Sequence, residues 1–476
     1  MKKIIYLFSS FLLIYSVQAQ KKSNSIESYR IEIKIPNTRD TIAYLGYHYG
    51  NQKYAKDTAK VQKGGVFVFD GNSKLEAGMY FLYCPSNLYF DFIVNDTEQK
   101  FTMESDTSAL ITKMKVKGSF ENQLFFDFQR YMEGKQKEFN ELNRAYEISK
   151  SNPADSATIL EKMRALDREV RQYRRKLAEK NPTTVLAKNI WLMERMTDED
   201  IPPKQPNDPE NYAYLYYKKH FFDNINFGDL TYLRSPFMHE RVMEYIEKLT
   251  PAVPDSAIES ATFIIEKARA NKDMFRYFLV TLTNHYERSN IMGMENVFVH
   301  LAEKYYLSGM ATWADSTLLA NLRKRVEELK PNLIGKFAPQ MVLYDTLLRR
   351  VSLRDVKAKY IILFFYDPGC GHCRKAAPEL KKAYDELILK GYDIKVLAIS
   401  TILDVEEWKK FVREYNFGAF INLSDPYYQD RPKEKYDVRT TPMIYLLDKN
   451  QKIIGRRLEP QNLVGFIEFE ERRHSN

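Results

Sequence analysis

The chain has 476 residues, too many for one ordinary hydrophobic core, so two to four domains are expected. With 44% hydrophobic and 28% charged residues it reads as folded protein, and the balance excludes broad disorder. The formal charge of +9 is spread through interleaved Lys, Arg, Asp and Glu, with no long basic block. No motif sets a basic helix or an aromatic strand against bases, so nucleic acid is not an expected partner.

The first nineteen residues have three zones. Lys2 and Lys3 are basic, Ile4 through Tyr15 is almost continuously apolar, and Val17-Gln18-Ala19 offers a small-residue exit. That order predicts a secretory signal peptide over 1–19. The apolar run is short of the roughly 20 residues that span a bilayer, and no cysteine near the cut offers a lipid acceptor. No later segment is long and apolar enough to span. The mature chain is therefore expected to be exported, in the periplasm or cell envelope, without a transmembrane segment.

Residues 25–117 read as a β-rich, sandwich-like antiparallel domain. Arg30 through Ile35 alternates with the two-residue period of a half-buried strand. Gly64-Gly65 leads into Val66–Phe69, and Asp70-Gly71-Asn72 is a turn signal. Further strands are expected at Tyr80–Tyr83, Tyr89–Val94 and Ile111–Val116. Cys84, at the end of an apolar strand, is expected to be a buried inert thiol.

From 118 to 330 the pattern turns helical, and an all-α middle domain is expected. A helix is read over Asn122–Leu142, and Ser151-Asn152-Pro153 precedes a charged one from Ala157 to Lys180 that Asn181-Pro182 ends. Shorter helices follow at 184–196, 209–222, 236–248, 255–270, 274–288, 293–307 and 312–328. His239, His285 and His300 are too scattered to suggest a metal site.

Residues 335–476 predict an α/β domain. Lys359 through Tyr366 is a near-continuous apolar strand, as in the middle of a sheet. After Asp367-Pro368-Gly369 comes Cys370-Gly371-His372-Cys373, and then a helix to Leu389. Two residues between cysteines in a first helical turn bring the sulfurs within disulfide geometry. Cys370 sits where unpaired amides and the positive helix end favour thiolate, so it is the candidate nucleophile. Cys373 is the candidate resolving thiol. His372 is expected to stabilise the Cys370 thiolate and so tune the redox potential. One CxxC with one histidine leaves a zinc set incomplete. No metal or organic cofactor is expected, since the dithiol itself carries two electrons.

This stretch resembles the thioredoxin superfamily, in particular its exported TlpA/ResA-like thiol–disulfide oxidoreductases. The resemblance rests on the apolar strand ending near Tyr366, the Cys-Gly-His-Cys motif (also that of protein disulfide isomerases), Pro378 in the following helix, and Thr441-Pro442 before a strand. It implies a cis peptide at Pro442 facing the disulfide, and a Thr441 backbone that binds an extended partner. Many relatives carry an acidic residue on the strand beneath the cysteines, and Phe364 stands at that position here. Asp367 is the nearer carboxylate and is the candidate for proton transfer. The upstream order of β and helical domains also resembles exported Bacteroidetes-type proteins. The resemblance implies envelope proteins with a disulfide or dithiol as partners, together with a membrane redox partner. An alternative is an envelope interaction or scaffold protein whose upstream domains bind a partner and whose redox site is regulatory.

Overall fold

A computed structural model of the chain describes residues 28–475, so the expected signal peptide at 1–19 lies outside the described residues. The backbone separates into two compact units. The first comprises residues up to His48 together with Lys53–Ala187; the second comprises Tyr49–Gln52 and Lys188–Asn476.

The β-rich region contains strands β1 (Tyr29–Lys34), β2 (Ile42–Tyr49), β3 (Gln52–Lys60), β4 (Val66–Gly71), β5 (Gly78–Tyr83), β6 (Tyr89–Val94), β7 (Lys100–Glu104) and β8 (Lys115–Lys117). They make two four-stranded sheets, ordered β4-β1-β7-β8 and β3-β2-β5-β6. The alternation in β1 does what its period requires, with Ile31 and Ile33 buried and Arg30 exposed. The all-antiparallel expectation fails at one pair, because β1 and β7 run parallel. The chain passes through the other sheet between them, so the returning strand is free to enter in the same direction. The strand expected at Ile111–Val116 is also shortened. The Lys113 N–H donates to the Ala109 carbonyl in a turn, leaving only Lys115–Lys117 to pair with β7. Cys84 is buried as a free thiol, and burial, with Asp40 adding to it, pushes that thiol up to about 12.

Helices α1 (Phe120–Ser149) and α2 (Pro153–Lys180) form a long hairpin in this first unit. The Ser119 side chain caps α1, and Asn152 caps α2 with Pro153 in its first turn. Asn122 exchanges hydrogen bonds with both the N–H (2.8 Å) and the carbonyl (2.7 Å) of Ile93, tying α1 to β6.

The second unit begins within α3 (Val185–Met193) and continues with α4 (Tyr212–His220), α5 (Phe237–Lys248), α6 (Pro254–Ala268), α7 (Lys272–Glu287), α8 (Glu295–Leu301) and α9 (Ser316–Leu329). Met238, Ile264, Phe278 and Phe298 sit in its continuous apolar core. After α8 one wide π-type turn covers Ala302–Leu307, which the sequence pattern folds into one longer helix.

The C-terminal region has β9 (Val342–Tyr344), β10 (Arg350–Ser352), β11 (Tyr360–Tyr366), α10 (Gly371–Leu389), β12 (Ile394–Ser400), α11 (Val405–Glu414), β13 (Ile421–Ser424), α12 (Pro432–Lys435), β14 (Met443–Leu447), β15 (Ile453–Arg456) and α13 (Leu463–Ser475). Its sheet runs β10-β9-β13-β12-β11-β14-β15. Strands β11, β12 and β13 are parallel, and β14 joins β11 antiparallel. Every residue of β11 is buried, which is why the strand reads as an unbroken apolar run. One face packs against residues of α10, α11 and α13, including Leu380, Trp408 and Ile467. Among the described residues no helix is long and apolar enough to cross a membrane.

Candidate active site

The central strand β11 delivers the site. The Tyr366 carbonyl accepts from Thr401 N–H at 2.9 Å, and the chain then turns away from the sheet. Asp367 builds that turn: its carboxylate accepts from Gly369 N–H at 2.8 Å, and its carbonyl accepts from Cys370 N–H at 3.0 Å. Cys370 then takes the N-cap position of α10 with extended backbone (φ −79°, ψ 122°). Its sulfur is half-buried and donates to the Thr441 carbonyl at 3.5 Å. Cys373, one helical turn on, is fully buried and accepts from Asp367 N–H at 3.4 Å.

The two sulfurs are electrostatically unlike. Around Cys370, burial acts to raise the thiol, but N–H groups of Cys373 and His372 together with the Cys373 thiol outweigh it. The net result holds Cys370 below the ordinary thiol range, as expected of a sulfur at a helix N-terminus. Burial dominates at Cys373 and pushes its thiol up to about 11, although Asp367 N–H works the other way. One sulfur favours thiolate and meets solvent, while the other waits inside as a thiol.

His372 reaches Cys370 through its backbone N–H; the residue is exposed and lines a groove that Thr441 and Pro442 also line. Thr441 and Pro442 stand across from Cys370, and the peptide joining them is cis. Phe364 is buried and stacks on Tyr366 with ring centroids 5.3 Å apart, so the position under the cysteines is apolar. Asp367 contributes main-chain contacts to both cysteines while its carboxylate closes the loop. Among the described residues no group of three or more His, Cys, Asp or Glu converges as a metal site would require.

A buried ionic cluster lies behind the Thr441 loop, and the sequence reading missed it. Arg456, only 2% exposed, donates to Asp437 at 2.7 Å, to Glu295 at 3.2 Å and to the Tyr445 hydroxyl at 2.9 Å. Asp437 also accepts from Arg325 at 2.7 Å and from Arg439 at 3.0 Å. Burial opposes the Asp437 charge, but the three guanidinium groups outweigh it and hold its carboxyl below the usual carboxylate range. The available signals were a charged residue closing the apolar strand Ile453-Ile454-Gly455 and an Asp beside Val438. Neither pattern names its partners, which lie more than a hundred residues away for Glu295 and Arg325.

A strand–CxxC–helix unit on a mixed sheet, with a cis-proline loop opposite, defines the class: a thioredoxin-like redox domain whose cysteine pair performs thiol–disulfide exchange. Residues 334–456 match the family model described as AhpC/TSA. Residues 29–125 and 166–332 match models described as domains of unknown function, DUF4369 and DUF5106. Thiol-disulfide oxidoreductase ResA of Bacillus cereus is 32% identical over 143 residues, covering 28% of this chain and 77% of that protein. Its counterpart from Bacillus thuringiensis subsp. konkukian is 33% identical over 125 residues, covering 25% and 67%. The chain belongs to the ResA-like thiol-disulfide oxidoreductases of the thioredoxin superfamily. Among solved structures, a thioredoxin-like protein from Bacteroides caccae is 24% identical, with a TM-score of 0.45, covering 56% of this chain and 98% of that one. A domain of a possible thiol-disulfide isomerase from Cytophaga hutchinsonii is 37% identical, with a TM-score of 0.28, covering 30% and 97%.

Proposed function

We propose that this enzyme is exported and exchanges disulfides with proteins of the cell envelope through Cys370 and Cys373. The observation that carries the reading is geometric: the Cys370 sulfur stands half-buried at the N-terminus of α10 within 3.5 Å of the Thr441 carbonyl, while Cys373, one turn on, is fully buried beneath Asp367 N–H.

In the reducing direction the Cys370 thiolate attacks one sulfur of a partner disulfide. The partner S–S bond breaks, a mixed disulfide forms, and the departing partner sulfur takes a proton. Cys373 then loses its proton and attacks the Cys370 sulfur. The mixed disulfide breaks and releases the second partner thiol, leaving a Cys370–Cys373 disulfide. Two electrons have passed from the dithiol to the partner. Run backwards, the same steps donate a disulfide.

Each neighbour has a role in this scheme. The Cys373 and His372 amides stabilise the attacking sulfur and favour it again as a leaving group. The exposed His372 imidazole, when protonated, adds positive charge and shifts the pair toward oxidising character. Thr441 and Pro442 position the partner backbone. Asp367, with its main chain on both cysteines, is the candidate to accept the Cys373 proton. Sustained reduction outside the cytoplasm requires a membrane electron donor, and oxidation an acceptor. The apolar leader in the sequence supports the exported setting.

The test is the reduction potential of the cysteine pair in the mature chain, by equilibration with defined glutathione ratios and thiol trapping. A value near about −270 mV marks a reductase, and roughly −180 mV or above marks a disulfide donor or isomerase. A pair that never equilibrates with glutathione would overturn the exchange reading.

A further inference from the structure

We propose that the helical region from Lys188 to Asn332 is a working part of the redox site, building one wall of the partner groove and holding the loop opposite Cys370. It thereby favours disulfides carried on extended polypeptide over small ones. This rests on the thiol-exchange reading above.

The groove beside Cys370 has a volume of about 690 Å³. His372 and Lys375 on α10 line one side, Thr441 and Pro442 another, and the stretch from Arg457 to Gln461 a third; Asn290, from the connection between α7 and α8, is the residue the helical region adds to this lining. A space of this size belongs to the range that holds a ligand many atoms long. Thiolate attack on a small disulfide needs access to one sulfur only. A polypeptide laid along the Thr441 loop therefore meets the helical region, and a small disulfide does not.

The loop itself is fastened from the same side. The Lys435 carbonyl accepts from the buried Asn332 side chain at 2.8 Å, and Asp437 accepts from Arg325 on α9 at 2.7 Å. Arg439 pairs with Glu328 on α9, and Arg456 links Asp437 to Glu295 on α8. Asp437 has a φ of +46°, a left-handed conformation in which Asp is enriched, so it is the ion pairs on its side chain that constrain this part of the loop. The surrounding guanidinium groups supply that constraint four residues before Thr441. Arg325 and Glu295 are thus positioning residues: they act on the partner loop through Asp437 and do not touch the sulfurs.

Two variants of the full mature chain test this, Asn290→Arg at the exposed groove wall and Arg325→Met in the anchor, with Arg325→Lys as the conservative control. Each is assayed for catalysis of insulin reduction by excess dithiothreitol, and, prereduced and freed of excess thiol, for its single-turnover reaction with the small aromatic disulfide DTNB; each also has its reduction potential measured. The expected result is about a tenfold loss of kcat/KM on insulin, carried mostly by KM, with DTNB rates and the equilibrium constant against glutathione each within about twofold of wild type. Arg325→Lys should recover most of the insulin activity. Unchanged insulin kinetics in Asn290→Arg, or equal losses on insulin and DTNB, would overturn the proposal. Should Arg325→Met fail to fold, the surface variant Asn290→Arg decides alone. A wild-type enzyme inactive on both disulfides would instead overturn the exchange reading beneath it.

Discussion

Replacing Arg456 with Met tests whether the buried ionic cluster holds the second unit together. The side chain is 2% exposed and serves Asp437, Glu295 and the Tyr445 hydroxyl. Breaking a buried pair by removing one partner costs about 3–5 kcal/mol, since the remaining charge stays buried. Here Asp437 retains Arg325 and Arg439, and Glu295 retains Arg457 at 3.3 Å, so the lower end applies, about 3 kcal/mol. For a unit of this size that loss lowers the melting temperature by roughly 5 °C. All 3 tryptophans (Trp191, Trp313 and Trp408) lie in the Lys188–Asn476 unit, so tryptophan fluorescence follows that unit alone. The substitution also has a pH signature. The folded-state pKa of Asp437 is depressed, so its stabilisation is full above the unfolded carboxylate value and is lost as pH falls through the folded value. Without Arg456 the folded value rises toward the unfolded one, and the acid-sensitive part of the stability shrinks. A melting temperature within about 1 °C of wild type, with an unchanged acid limb, would show that the cluster does not hold the unit together.

Alkylation of Cys370 by iodoacetamide should show a midpoint below the free-thiol value of about 8.5. Cys373 in a Cys370→Ser variant should titrate far higher, so a shared midpoint for the two would contradict the asymmetry. Cys373→Ser should accumulate covalent complexes with partner proteins through Cys370, visible on non-reducing gels and lost on adding dithiothreitol. Asp367→Asn should slow resolution of the mixed disulfide and flatten its pH dependence; an unchanged pH–rate profile removes Asp367 as the proton acceptor. Asn122→Ala leaves the N–H and carbonyl of Ile93 unpaired in a buried site and should destabilise the first unit by roughly 2–3 kcal/mol, read by circular dichroism.

The redox region was the most legible part of the chain because each of its signals is local. An apolar run marks β11, and two cysteines three apart at a helix start mark the chemistry. The edges were harder. Strand β3 is mostly exposed and reads Gln-Lys-Tyr-Ala-Lys-Asp-Thr-Ala-Lys, so no buried period announces it, and its lysines suit an unpaired edge. β10 and α12 are three and four residues long, too short to carry a period. The start of α9 lay in its cap: Asp315 accepts from Leu318 N–H at 2.8 Å, a signal that the apolar stripe alone places a few residues early. The cluster around Asp437 was illegible for another reason. Its members come from α8, α9 and two separate segments of the C-terminal region, and charge pairing across that separation leaves no periodic trace.

The placement of β11 also sets how the site breathes. Paired along its length by β12 on one side and β14 on the other, with every residue buried, the strand lies two or more positions from either sheet edge. Its amides should be among the slowest to exchange with deuterium, released only when the whole region opens, while the partly exposed edge strand β10 frays independently. The sulfurs hang from the end of that slowest-opening strand. Fluctuations that loosen the rim to admit and release a partner can therefore proceed while the reacting atoms keep their register.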